Sequence, residues 1–111
     1  MQPRKREIKH YVDAEGVDLF GDWVVSLKDV TGQIAILKRI DRIEEGNLGD
    51  HVYVGQGVSE LRIHLSPGYR IYYGEDGPVV LILLCGGDKR SQKKDIKKAQ
   101  KLWEYYRGTQ K

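Results

Sequence analysis

The stretch from Gly57 to Lys89 constrains the fold most, because it has the pattern of three consecutive strands ending at a glycine corner. Apolar and polar side chains alternate strictly through its first strand. One face carries Ser59, Leu61, Ile63 and Leu65, and the other carries Glu60, Arg62 and His64. The segment Ser66–Gly68 then forms a turn, since proline presets φ and glycine supplies positive φ. The next strand continues the alternation from Tyr69 to Tyr73.

A hairpin closed by these three turn residues predicts that Leu65 pairs with Tyr69. This closure places two further pairs on the polar face, namely His64 opposite Arg70 and Arg62 opposite Tyr72. Directly opposed cations repel one another, so a sheet selected for stability alone would rarely place them there. The polar face of the hairpin is therefore a candidate functional surface.

Two helices are predicted before this hairpin and one strand before the helices. The strand runs from Arg6 to Val12, after a loose tail at residues 1–5. Helical spacing then places a first apolar stripe after an N-cap at Asp18, formed by Phe20, Trp23, Val24 and Leu27. A second helix begins at Thr31-Gly32, ends at Gly46, and carries the apolar stripe Ile36, Leu37, Ile40 and Ile43. Its mixed charges predict a solvated face, formed by Lys38, Arg39, Asp41, Arg42, Glu44 and Glu45.

The rest of the chain supplies strands and a final helix. His51–Val54 could form a short strand, and the apolar run Val79–Leu84 predicts a central strand covered on both faces. A last helix, capped by Asp88 or Ser91, has a buried stripe of Ile96, Ala99, Trp103 and Tyr106. Its basic flank consists of Lys93, Lys94, Lys97, Lys98 and Lys101. The predicted order is β-α-α-β-β-β-α in a single α+β domain, residues 1–111.

Charge and cysteine content limit the function classes. A net charge of +3 and clustered basic residues favour an anionic partner, either nucleic acid or an acidic protein. A single cysteine, Cys85, excludes an internal disulfide, indicates a cytoplasmic protein, and is expected to be an inert core thiol. Neither a membrane span nor a signal peptide is predicted. The three histidines lack metal-ligand spacing, so no metal or other cofactor is expected.

The polar face of the hairpin carries groups suited to RNA cleavage without a metal. Arginines bind phosphate, and a tyrosine can stack on a base. A neutral imidazole can take the proton of a 2′-hydroxyl, while cations stabilise the charge that develops at phosphorus. These groups are Arg62, His64, Arg70 and Tyr72. The alternative interpretation is the solvated polar face of a half-buried sheet.

Several motifs resemble the RelE/ParE toxin superfamily, in particular its HigB-like branch of addiction-module killer proteins. They are GxSELR, PGYRxYY and CGGDKxxQxxDI in series, with LKD at Leu27–Asp29 and RIEEGNLGD at Arg42–Asp50. The resemblance extends from about Val12 to Tyr106. It implies a RelE-like fold, in which a helical hairpin packs on a twisted, antiparallel-rich sheet with a C-terminal helix.

The resemblance also implies a function. The chain would be the toxin of a type II toxin–antitoxin module, and a ribosome-dependent mRNA endonuclease that cleaves in the A site and inhibits translation. Its partners would be the ribosome, mRNA and a cognate helix-turn-helix antitoxin. Two alternatives stay open: a ParE-like toxin that inhibits DNA gyrase, and a degenerate toxin that serves only as antitoxin partner and co-repressor.

Carried over by position, the resemblance implies catalytic roles for a small set of residues. They are His64, Arg70, Arg62 and Lys89, with His64 as the general-base candidate. The expected RNA-binding residues are Arg62, Tyr72, Arg90, Lys93 and Lys94. The chain departs from RelE in carrying Asp95 where RelE has a tyrosine, so Asp95 is a possible acid or base, or a partner of Lys89 or an arginine.

Overall fold

The computed structural model describes residues 5–109, so the predicted tail lies outside the described residues except for Lys5. The described chain contains a first strand, β1 (Glu7–His10), followed by two helices, α1 (Leu19–Ser26) and α2 (Val30–Glu44). Four consecutive strands follow: β2 (His51–Gly55), β3 (Val58–Ile63), β4 (Tyr69–Asp76) and β5 (Val80–Gly87). A short 3-10 turn at Lys89–Ser91 leads into the last helix, α3 (Gln92–Thr109). No helix within residues 5–109 is long and apolar enough to cross a membrane.

The sheet is mixed and has five strands in the order β1-β5-β4-β3-β2. Only β1 pairs in parallel, against β5, and the other neighbours are antiparallel. The α+β class is confirmed, but the predicted order had one strand too few. The optional strand at His51–Val54 forms, extends to Gly55 and closes one edge of the sheet.

Apolar side chains are buried on both faces of the sheet. The α1–α2 hairpin covers one face, where Phe20 and Ile36 pack with Leu61, Ile71 and other apolar residues of the sheet. Helix α3 covers the opposite face through Ala99 and Trp103. Trp103 lies so close to β4 that a Cβ on Gly74 would come within 2.4 Å of its ring. This opposite face includes the polar face of the hairpin, which was predicted to be either a functional site or a solvated surface. Helix α3 therefore covers most of that polar face.

The helix predictions are confirmed in outline and wrong in three particulars, all of them in α2. Asp18 caps α1, and Gly46 follows α2 with a φ of 96°. Helix α2, however, begins at Val30 instead of Thr31, because the Asp29 carboxylate caps it by accepting a hydrogen bond from the Gly32 amide at 3.0 Å. Leu37 is 52% exposed instead of buried.

Arg39 was predicted on the solvated face of α2 but is buried. Its guanidinium donates hydrogen bonds to three carbonyl oxygens, those of Leu48, Asp50 and Arg62, at 2.7–3.1 Å. This clamp joins α2, the loop before β2 and the end of β3.

The register of the β3–β4 hairpin differs from the prediction. Ile63 pairs with Tyr69, so Arg62 lies opposite Arg70 and Glu60 opposite Tyr72. The reason is a turn in which the Gly68 amide donates to the Leu65 carbonyl at 2.6 Å. That turn takes Leu65 out of the strand, and His64 leaves the ladder with it. The two opposed cations are thus the two arginines.

Candidate functional site

An open cleft of about 470 Å³ lies at the loop end of the β3–β4 hairpin. The catalytic residues implied by the resemblance all line it: Arg62, His64, Arg70 and Lys89. The strands supply the two arginines, the loop supplies His64, and the turn after β5 supplies Lys89. Gly68 ends the hairpin turn next to Lys89 with a φ of 84°, a conformation that glycine adopts without strain. Residues remote in sequence therefore meet at one end of the sheet.

The Glu60 carboxylate binds both opposed arginines and so offsets their mutual repulsion. Its side chain is completely buried, and Oε1 accepts hydrogen bonds from Nε of Arg62 at 2.9 Å and from Nη1 of Arg70 at 3.1 Å. The other oxygen, Oε2, accepts from the hydroxyl of Tyr72 and from Nε2 of Gln92, both at 3.0 Å. One carboxylate therefore bridges β3, β4 and α3, and fixes both guanidinium groups at the base of the cleft.

The ionisation of Glu60 follows from these contacts. Burial by itself would raise the pKa of the carboxyl, because it disfavours the charged form. The hydrogen bonds from Arg62, Gln92 and Tyr72, together with the charge of Arg70, outweigh burial and lower the pKa of Glu60 below its ordinary value. Glu60 is thus ionised at neutral pH, and it holds the arginines in place while it offsets part of their charge.

The two arginines differ in exposure. The Arg62 side chain is 39% exposed, whereas that of Arg70 is 13% exposed. Nε of Arg70 is buried and has no hydrogen-bond partner among the described residues. Arg62 thus presents its charge to solvent, while Arg70 is held rigidly with donor capacity left over.

His64 lies at the rim of the cleft and forms a dyad with Asp50. Its side chain is 76% exposed, and Nε2 lies 2.5 Å from Oδ2 of Asp50. Since the carboxylate can only accept, Nε2 must carry the proton, which leaves Nδ1 of the neutral ring as a free base. The hydrogen bond to His64 lowers the pKa of Asp50. A carboxylate that fixes the tautomer and orientation of an imidazole is the arrangement a general base needs.

The other residues predicted to bind RNA are either exposed cations or buried groups. Arg90, Lys93 and Lys94 are exposed but do not line the cleft. Tyr72 is completely buried, so the prediction that its ring stacks on a base is wrong. α3 covers that ring, and its hydroxyl serves Glu60 instead.

Asp95 also departs from its predicted roles. It is buried beneath the first turn of α3, where Oδ2 accepts a hydrogen bond from the hydroxyl of Ser91 at 2.5 Å. Its oxygen occupies the space where a Cβ on Gly87 would sit. Among the described residues no ion pair joins it to Lys89 or to an arginine. Asp95 therefore anchors the helix to the glycine corner and is not part of the cleft.

Comparison with known proteins places the chain beside a bacterial relative. No family model matches it. An uncharacterized protein of Haemophilus influenzae is 46% identical over 83 residues, which are 75% of this chain and 84% of the relative. The chain belongs to the same family as that protein. This identity and coverage imply a shared fold for the two proteins.

Sequence reasoning missed three residues that complete the site, Glu60, Asp50 and Gln92. Glu60 stands two residues before Arg62 on the same strand face, and this i, i+2 spacing of opposite charges could have indicated an ion pair. Asp50 and Gln92 lie 14 and 32 residues from their partners. No local pattern connects residues so far apart, so only the tertiary fold places them.

The structural role of Tyr72 can be tested by Tyr72→Phe. This variant removes one donor from a buried carboxylate and keeps the ring, so we expect a loss of about 1.5 kcal/mol in the free energy of unfolding. RNA affinity should stay within about twofold, because the ring has no exposed face. Urea denaturation of Tyr72→Phe and of the exposed control Tyr105→Phe measures the first quantity. A fall in RNA affinity without a fall in stability would contradict this role.

Proposed function

We propose that the chain is the toxin of a type II toxin–antitoxin module, a HigB-like member of the RelE/ParE superfamily that cleaves mRNA on the ribosome in the cytoplasm. The proposal rests on one observation. A single cleft contains an imidazole oriented by a carboxylate, that of His64, together with the cationic side chains of Arg62, Arg70 and Lys89. The architecture is compatible with the proposal, because a helical hairpin packs on a mostly antiparallel sheet that also carries a C-terminal helix.

The cleft residues can divide the reaction among themselves without a metal. Nδ1 of His64 takes the proton of the 2′-hydroxyl, and the 2′-oxygen attacks the adjacent phosphorus. The negative charge on the phosphoryl oxygens is stabilised by Arg62, Arg70 and Lys89. The bond to the 5′-oxygen then breaks, and that oxygen takes a proton from water, which the open cleft admits, leaving a 2′,3′-cyclic phosphate. DNA has no 2′-hydroxyl, so this chemistry selects RNA.

The electrostatics of the cleft fit a substrate delivered by the ribosome. Glu60 and Asp50 offset two of the permanent cations, so the cleft has only a small positive excess. Few phosphates are neutralised by such a site, and affinity for free RNA should be weak. Ribosomal positioning of the codon would supply the local concentration that the cleft lacks.

Arg70→Ala and His64→Ala test the proposal in translation with purified ribosomes and a defined mRNA. Mapping of mRNA 5′ ends should show cuts within A-site codons for wild type. Cleavage should fall at least about 10²-fold for Arg70→Ala, which loses an electrostatic contact, and similarly for His64→Ala, which loses the base. Arg107→Ala, an exposed arginine of α3, is the control and should cut like wild type.

Two outcomes of that experiment would redirect the assignment. Cuts that persist in a folded Arg70→Ala variant would contradict the role of the cleft. No cuts by wild type, with translation unimpaired, would point to a gyrase inhibitor or to a degenerate toxin that only binds its antitoxin. A cognate helix-turn-helix antitoxin is the expected partner in each case, and its acidic residues would complement the basic surface.

A further inference from the structure

A second cavity adjoins the cleft on the side of α2. It has a volume of about 680 Å³, and its lining includes Ala35, Lys38, Arg42, Ile63 and His64. Ile63 and His64 line both cavities, so the two cavities adjoin and the imidazole lies at their boundary. A groove between α2 and the end of β3 therefore lies next to the cleft at the end of the hairpin.

The groove has the chemistry of a nucleotide subsite. Its lining combines the apolar side chains of Ala35 and Ile63 with the exposed cations Lys38 and Arg42. These cations are separated by one helical turn, about 6 Å along the axis. The only acidic group in the lining is Asp41. The apolar lining residues can contact a nucleobase, while the two cations can contact the phosphates beside it.

Arg39 fixes the groove relative to the catalytic dyad. Its guanidinium binds the carbonyl oxygens of Asp50 and Arg62, both at 2.7 Å. Asp50 in turn binds His64. Helix α2 and the dyad thus belong to one hydrogen-bonded unit, and a strand that enters the cleft meets a groove whose position is already set.

We propose that this groove binds the nucleotide that flanks the scissile phosphate, with Lys38 and Arg42 as its phosphate contacts. The proposal rests on the proposed function, because the flanking nucleotide is defined by the bond cut in the cleft. Single-stranded RNA is favoured over an acidic peptide because the groove has apolar lining residues and lies directly beside the cleft.

Binding of oligoribonucleotides of two lengths tests the groove. The probes are a fluorescent trinucleotide and a hexanucleotide with 2′-O-methyl groups, which prevent cleavage. Wild type should bind the hexanucleotide about tenfold more tightly than the trinucleotide, because only the longer strand fills both cavities. In the double variant Lys38→Ala/Arg42→Ala this difference should disappear. The salt dependence of hexanucleotide binding should also fall by about 0.7 per lost phosphate contact.

The control is Lys97→Ala/Lys101→Ala, which removes the same charge at the same spacing from an exposed face of α3. It should preserve the length dependence. A double α2 variant that retains the length dependence, while Arg70→Ala weakens binding of both probes, would overturn the groove and leave the proposed function standing. Arg70→Ala with unchanged affinity, while the α2 variant loses hexanucleotide binding, would overturn the cleft assignment and keep the groove.

A third arm separates RNA from an acidic peptide. Polyglutamate should compete poorly with the hexanucleotide for wild type. Binding of polyglutamate that depends on Lys38 and Arg42, together with hexanucleotide binding that does not, would overturn the assignment in favour of an acidic protein segment.

Discussion

Glu60→Ala is expected to lower the free energy of unfolding by about 3 kcal/mol, the lower end of the range for removing one partner of a buried ion pair. The substitution leaves two guanidinium groups, a hydroxyl and an amide without their shared acceptor. The lower end applies because Arg62 is partly exposed and can be solvated once released. Urea denaturation followed by circular dichroism measures the loss.

Glu60→Gln separates the shape of the side chain from its charge. The amide retains one oxygen acceptor for the arginines but replaces Oε2 with a donor, which faces the donors of Tyr72 and Gln92. We expect an intermediate stability and a cleft in which Arg70 is no longer held in one orientation. Cleavage by Glu60→Gln should therefore fall by more than the decrease in its folded fraction can explain. Equal stability of Glu60→Gln and wild type would contradict the assigned role.

The same residue predicts how stability depends on pH. The pKa of Glu60 is lowered in the folded state from its ordinary value of 4.5, so the unfolded state binds the proton more readily. Its stabilising contribution is fully present above the ordinary pKa and is lost as the pH falls through the lowered folded value. Wild type should lose stability across that interval, and Glu60→Gln should lose less. Denaturation series at neutral and acidic pH provide the comparison.

Local patterns predicted the elements well because each element buries one periodic stripe. Phe20 and Val24 of α1 and Ala99 and Trp103 of α3 are buried as the helical period required. The central strand β5 is covered on both faces, as its unbroken apolar run indicated. The prediction that Cys85 lies in the core is also confirmed, and burial raises the pKa of this thiol to about 12.

Pairing and partner choice were harder to predict, because they depend on tertiary contacts. The hairpin register differs from the predicted one because Leu65 belongs to the turn. His64 therefore lies beyond the end of the strand, in contact with Asp50. The predicted cleft residues nevertheless lie together, because the loop, the strand ends and Lys89 meet at one end of the sheet in either register. Buried polar groups such as Glu60 and Arg39 appear surface-exposed in any periodic pattern, since their partners are distant in sequence.

Arg39→Met should be as destabilising as the loss of Glu60, and it should also disable the dyad. Methionine fills similar space but leaves the carbonyl oxygens of Leu48, Asp50 and Arg62 without their charged donor. Hydrogen bonds to a charged group contribute about 1.5–3 kcal/mol each, and water can replace part of them, so we expect a loss of about 3 kcal/mol. Chemical denaturation of Arg39→Met beside Arg42→Met is the measurement.

Arg42→Met is the matched control, because it removes an exposed cation from the same helix and should change stability by less than about 0.5 kcal/mol.

Gly49 lies directly against the guanidinium group of the Arg39 clamp. Its φ is 67°, and a Cβ would lie 2.7 Å from the Arg39 guanidinium. Gly49→Ala should therefore displace the clamp without altering any charge. If Asp50 orients His64 only while the clamp holds, both Arg39→Met and Gly49→Ala should lower cleavage at temperatures where each variant is fully folded. Full cleavage by either folded variant would show that the dyad of His64 and Asp50 does not depend on the clamp, and would contradict the role assigned to Arg39.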